Sequence, residues 1–472
     1  MSSKFIFLES VDLLSTIPQY HLVLGTFLLL WVAWLTVKRR YNNRQLPELS
    51  NDEVERKIAN WQPEPLVKPI EKKYHHALKP KLVSTKVGKR ITVNGKDCLN
   101  LGTHNYLGFV GSSEIEDTAI AAIEKYGVGS CGPRGFYGTV DVHLELEEKL
   151  AKFMELEEAI VYSYGFTTIA SAIPAYCKRR DLVFVDEKIN FSIQKGLDAS
   201  RSNVKYFKHN DADNLKNLLT QQAEEENKNP KRAAKTRKFL IVEGIYMNTG
   251  EICPLPDLVK LCREYKLRIF IDESISFGVL GKHGRGVTEH FGVPRHEIDM
   301  IMGSLDWAVA SIGGFCVGSS YIIEHQRLSG LGYCFSASLP PFLTSAATKS
   351  LQIMERNPEI FDTLKQKCLQ FDARLKELTS FCLSGFAESP VKHLYLKEIP
   401  NHADEWELLN LISDKCIDNN IAVIVSAYLE TETTPPRSSL RICVSVVLED
   451  VEIKHACQVI EKCTEAVLSS VK

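Results

Sequence analysis

Hydrophobic positions fall into two regimes along the chain. Near the N-terminus no Asp, Glu, Lys or Arg occurs from Leu13 to Val37, and Leu22 to Val37 is almost wholly Leu, Val, Phe, Ala and Trp. That run predicts one membrane-spanning helix over 13–37, because a hydrocarbon core takes roughly 20 apolar residues to cross. Tyr20, Trp31 and Trp34 are types enriched near interfaces, and Lys38, Arg39, Arg40 and Arg44 follow at once. The positive-inside rule then places residues 1–12 in the lumen and the bulk of the chain in the cytosol. A cleaved signal peptide fits less well. Lys4 is offset by Glu9 and Asp12, and Trp34 and Leu35 stand where small residues belong.

Residues 38–90 are charged and proline-rich, with Pro47, Pro63, Pro65, Pro69 and Pro80, and read as a surface-packing linker. From Ile91 short β-branched or aromatic runs recur: Ala159–Tyr162, Leu182–Val185, Val204–Phe207, Phe239–Val242, Arg268–Ile271, Met300–Met302 and Phe315–Val317. Helix-length amphipathic stretches separate most of them, which predicts a mainly parallel, doubly wound α/β domain over 91–340. Beyond it, longer helices and the strands Ala422–Val425 and Leu440–Val444 predict a smaller α+β domain over 341–472. The polar stretch Gln221 to Lys238 reads as an exposed insertion.

Composition narrows the class. The chain has 472 residues, 44% hydrophobic and 25% charged, with 57 Lys+Arg against 59 Asp+Glu. A net charge of -2 supplies no general attraction for nucleic acid, which is set aside. The cysteines lie scattered from Cys98 to Cys463 with no C-x-x-C pair, so no metal knuckle or secreted disulfide framework is expected.

Three segments carry candidate chemistry. Gly127-Val-Gly-Ser-Cys-Gly-Pro-Arg-Gly-Phe-Tyr-Gly138 is dense in glycine and leads into a helix with Val142, Leu146, Leu150 and Phe153 on its apolar face. Such a loop either brings backbone close to a ligand or is a tight structural turn, and composition leaves both open. Strand Ala159–Tyr162 runs through Ser163-Tyr-Gly165 into a helix, an arrangement that favours an anion at the helix N-terminus. Strand Arg268–Ile271 ends in Asp272-Glu273, at the edge where ligands of parallel sheets bind; helix capping by Asp272 is the bland alternative.

Taken in order, Asn105-Tyr-Leu-Gly108, Tyr126-Gly-x-Gly129, Gly132-x-Arg134-x-x-x-Gly138-Thr139, His143, Glu243-Gly244, Asp272-Glu273, Gly284-Arg-Gly286 and Gly313-Gly314 resemble the α-oxoamine synthases. These are pyridoxal-phosphate enzymes of the aspartate aminotransferase fold (type I), which join an amino acid to an acyl-CoA with loss of carbon dioxide. Trp61-Gln-Pro-Glu-Pro65, Cys131-Gly-Pro-Arg-Gly-Phe-Tyr-Gly138 and Tyr333-Cys-Phe-Ser-Ala-Ser-Leu-Pro-Pro341 are similar to the serine palmitoyltransferases within that family. The resemblance implies pyridoxal phosphate in an endoplasmic-reticulum membrane complex. It also implies a heterodimer with a catalytic long-chain-base subunit, accompanied by small membrane activating and regulatory subunits.

The resemblance fails where the chemistry is done. The family lysine that holds the cofactor as an imine lies in Gly-Thr-Phe-Ser/Thr-Lys-Ala/Ser, and here the stretch is Gly303-Ser304-Leu305-Asp306-Trp307-Ala308. Trp307 has no amine. Asn190 and Ile275 replace the two family histidines, while Asp272, the partner of the pyridinium nitrogen, survives. Gly165, Phe166, Asn190, Asp272 and Ile275 therefore form a degenerate cofactor set, and no catalytic residue is expected in this chain. Arg441 stands about where the family binds the substrate carboxylate, or is a plain surface-strand arginine. Family dimers build their sites at the interface, so Cys131, Gly132, Arg134, Ser336 and Ser338 are expected to complete a partner's site. An independently active enzyme would need a displaced lysine, such as Lys188 or Lys282. A membrane scaffold is the third reading.

Overall fold

The computed structural model describes residues 19–44, 49–67, 80–400, 404–429 and 431–471, which fall into two units, 1–75 and 76–472. The expected lumenal segment 1–12 and the start of the apolar run, 13–18, lie outside the described residues.

In the first unit α1 spans Gln19–Arg44 and exposes its apolar side chains, among them Leu24, Leu28, Leu30 and Trp31. Among the described residues no helix is long and apolar enough to cross a membrane; in α1 the continuous run of described side chains is 23–39. Within the expected linker lies a short helix, α2 (Asn51–Asn60). Ser50 and Glu53 form its capping box, each satisfying a backbone N–H of the other.

The second unit is built on a seven-stranded sheet in the order β3-β9-β8-β7-β6-β4-β5. A hairpin precedes it, β1 (Arg90–Val93) and β2 (Lys96–Asn100), closed by Asn94 and Gly95 at φ 50° and 81°. An Asn-Gly pair in the left-handed region is the turn that matches strand twist. After helix α3 (Asp141–Met154) come β3 (Glu158–Tyr162), α4 (Gly165–Tyr176), β4 (Leu182–Asp186), α5 (Phe191–Ser200) and β5 (Asn203–Phe207). Then follow α6 (Ala212–Lys228), β6 (Lys238–Glu243), α7 (Leu255–Tyr265), β7 (Arg268–Asp272), β8 (Met300–Ser304) and β9 (Gly314–Gly318). Every residue of β4, β8 and β9 is buried, which is why these strands read as continuous apolar runs instead of alternating ones.

β9 pairs antiparallel with both β3 and β8, whereas β8, β7, β6, β4 and β5 pair parallel in turn. The 305–313 loop joining β8 to β9 is too short for a parallel crossover, so the strand must reverse. Gly314 at the start of β9 is required by a close approach. A Cβ there would lie 2.3 Å from Thr168 Oγ1 and 3.0 Å from Gly165 Cα.

A second sheet has the order β10-β11-β14-β13, from Phe381–Ser384, Val391–Leu396, Leu440–Cys443 and Ile424–Val425. The expected strand Ala422–Val425 is in fact two. Ile421–Ala422 (β12) pairs parallel with β2, and after buried Val423 the chain crosses to pair Ile424–Val425 with β14. Gln221 to Lys238 is exposed, as expected, and is partly helical. Its first half continues α6, whose buried Leu215 and Leu219 anchor the helix while the later turns face solvent.

Candidate functional site

A cavity of about 340 Å³ opens at the C-terminal edge of the large sheet. Gly165 and Phe166 at the start of α4, Asn190 before α5, Asp272 at the end of β7, and Ser304, Asp306 and Trp307 around the end of β8 all line it. Met247, Ser274, Tyr428 and Arg441 complete the wall. Four of the five residues in the predicted cofactor set thus converge. Ile275 does not: it is fully buried among apolar side chains and is absent from the lining.

Asp272 does not cap a helix, as the bland alternative required. Its Oδ1 accepts from the Ser274 N–H at 2.9 Å in a turn, and its Oδ2 accepts from Asn190 Nδ2 at 2.8 Å. The Asn190 N–H donates to Glu243 Oε1 at 2.6 Å, and Met247 N–H donates to the other Glu243 oxygen at 2.9 Å. Asn190 therefore bridges two buried carboxyl groups. Burial raises both carboxyls, and for Glu243 the Asp272 charge adds to the rise.

Trp307 is half-buried, with its indole stacked on the His104 imidazole at 4.8 Å between centroids and 27° between planes. Burial holds His104 well below the usual imidazole range, so the stack is on a neutral ring. Beside it Ser304 Oγ donates to Asp306 Oδ2 at 2.8 Å, and Gly313 N–H donates to Asp306 Oδ1 at 3.0 Å. Burial raises the Asp306 carboxyl and these two bonds pull it back. Among the described residues Ser274 Oγ, Tyr428 Oη and Arg441 Nε, buried in the wall, find no hydrogen-bond partner. Arg441 is thus a cavity residue, not a surface one. His104, Ser274 and Tyr428 escaped sequence reasoning, since each depends on residues brought together across the fold, whereas the family motif had already pointed to Arg441.

The residues expected to act on a partner's site gather elsewhere. The glycine-rich loop and the 331–341 segment are sewn together: Ser338 N–H donates to Gly132 O at 3.0 Å, Ser338 Oγ to Gly138 O, and Ser130 Oγ to Ser338 O at 3.3 Å. Cys131 is exposed at φ 57°, so it is no packed thiol, and Ser336, on the 331–341 segment, is half-buried. Arg134 and Ser338 turn inward. The Arg134 guanidinium grips Glu147 through two bonds of 2.9 and 3.0 Å, both side chains buried, and so serves this chain's own packing. Around the loop Phe136, Tyr137 and Phe335 are exposed, Tyr137 fully and at φ 65°.

Residues 96–460 match the family model "Aminotransferase class I and II". Serine palmitoyltransferase 1 of Dictyostelium discoideum is 40% identical over 97% of this chain and 96% of its own length. The chain belongs to the class I and II aminotransferase family, on its serine palmitoyltransferase 1 branch. Another member of that branch, serine palmitoyltransferase 1 of Saccharomyces cerevisiae, is 34% identical over 89% of this chain and 83% of its own. Among solved structures in the family, a serine palmitoyltransferase from S. paucimobilis with a bound PLP–myriocin aldimine superposes with a TM-score of 0.74. It is 26% identical and covers 82% of this chain and 93% of its own.

The residues present here do not fit pyridoxal phosphate held as an imine. Among the described residues no lysine lines the cavity, the Trp307 indole does, and Asn190 already engages the Asp272 carboxylate.

The carboxyl pair gives this cavity a pH signature. A raised folded-state pKa stabilises below the unfolded value, near 4.5, and that contribution is lost as pH rises through about 8. The detergent-purified chain is therefore expected to lose roughly 1–3 kcal/mol of stability between pH 5.5 and 8.5 from this source. Asp272→Asn, which removes the mutual repulsion, flattens that slope in urea or thermal melts; an unchanged slope contradicts the assignment.

Proposed function

We propose that this chain is the non-catalytic long-chain-base subunit of a serine palmitoyltransferase, a membrane complex in the endoplasmic reticulum. The complex condenses L-serine with palmitoyl-CoA to 3-ketosphinganine, releasing carbon dioxide and coenzyme A, the first step of sphingolipid synthesis. One observation carries the reading: a cavity at the family's cofactor position that Trp307 lines and that, among the described residues, no lysine lines. The catalytic long-chain-base subunit two supplies the lysine and holds pyridoxal phosphate covalently. This chain stabilises that partner and lends it the loop pair built from Cys131, Gly132 and Ser336. Exposed Phe136, Tyr137 and Phe335, on a backbone that includes left-handed non-glycine residues, support a surface made to be covered by protein. Small activating and regulatory subunits bind in the membrane.

The alternative of an independent enzyme loses support. Neither Lys188 nor Lys282 lines the cavity, and Lys282 lines a separate one with Glu289 and Lys365. The inward-facing polar wall likewise speaks for a derived enzyme subunit over a plain scaffold.

The membrane part of the reading rests on the apolar run Leu22 to Val37 and the basic residues that follow it. It gives a single span, with the N-terminus in the lumen and the bulk of the chain in the cytosol. A glycosylation tag placed before Tyr20 is expected to be modified, and one placed after Arg44 to remain unmodified; the reverse pattern refutes the orientation.

The contribution in trans is tested at Cys131. Because the residue is exposed, Cys131→Tyr is expected to leave folding of the chain within about 0.5 kcal/mol of wild type. It lowers or alters activity per mole of assembled complex, while Cys131→Ser stays near wild type. Equal specific activities for the two variants, with normal assembly, rule out the contribution.

A further inference from the structure

The start of α4 reads from sequence as an anion site, because the first backbone N–H groups of a helix have no partner within it and the helix dipole favours negative charge there. The fold brings an anion to that place from within the chain. A Cβ on Gly165 would lie 2.9 Å from Asp306 Oδ2 and 2.9 Å from Ser304 Oγ, so the carboxylate packs directly against the first residue of the helix. α4 has no side-chain N-cap of its own. Asp306 is fixed by the hydrogen bonds from Ser304 and Gly313, and among the described residues no cation acts on it. The family motif has Ser or Thr at this position, immediately before the lysine; here the residue carries a charge.

We infer that Asp306 is the resident anion of α4 and closes this end of the cavity to phosphate. A phosphate drawn to the first N–H groups of α4 meets this neighbouring carboxylate, in a half-buried setting where like charges are poorly screened. The Ser304 hydroxyl, which could otherwise donate to a phosphate, is already turned to Asp306. The cavity is thus shut to phosphate-bearing pyridoxal compounds by charge, separately from the loss of the lysine. This concerns the chain's own cavity and stands whether or not it assembles with a catalytic partner.

The test uses pyridoxamine 5′-phosphate, which carries the phosphate but cannot form an imine with lysine. The full chain is purified in detergent and treated with borohydride, which seals any cofactor a co-purified subunit holds as an imine. Binding is read by equilibrium dialysis and folding by thermal melting. Wild type is expected to show no saturable binding into the millimolar range. Asp306→Ser binds at least tenfold more tightly, and Asp306→Asn, which removes the charge and keeps the size, gains part of this. Pyridoxamine without phosphate gains nothing in either variant. The inference is overturned if wild type binds as tightly as Asp306→Ser, if a folded Asp306→Asn gains no affinity, or if pyridoxamine gains as much as its phosphate.

Discussion

The reversal of the chain between β8 and β9 is the constraint on which the site depends. Because β9 runs antiparallel beside β8, the 305–313 loop turns back at the C-terminal edge of the sheet, against the start of α4. Gly165 and Gly314 permit that approach, since a side chain on either would collide with its neighbours. Whatever stands at 306 and 307 is thereby presented to the cavity. In this chain those residues are a carboxylate and an indole, so the geometry that would present an amine presents a stacked ring.

Such a cavity must satisfy its own buried groups. An unpaired buried carboxylate is costly, and Asp272 is satisfied by Asn190 and the Ser274 backbone. The replacement of a family histidine by Asn190 therefore does more than remove a ring. It supplies the amide that holds Asp272 and, through its backbone, one donor to Glu243. Trp307 is likewise supported from behind by neutral His104. The wall around Arg441, Tyr428 and Ser274 retains polar atoms that the chain itself leaves unmatched.

Much of this was legible before any coordinates. Strands such as β4, β8 and β9 are legible because they are buried on both faces, and the register of Gly313-Gly314 locates Trp307. Periodicity alone does not reveal the hairpin at Asn94-Gly95, which is written in turn chemistry, and β12 and β13 read as one run because two strands of different sheets lie one residue apart. Arg134 shows a different limit. A family motif says that an arginine belongs in the loop, but only the fold reveals that Glu147 takes up its guanidinium. Asp306 was visible as a letter; its meaning came from its distance to α4.

The central claim is that the imine-forming amine lies outside this chain. Borohydride reduction of the assembled complex, followed by peptide mapping for pyridoxyl-lysine, tests it most directly. The account predicts the label on a lysine of the partner subunit and none on this chain. A pyridoxyl-lysine on any peptide of this chain would contradict it.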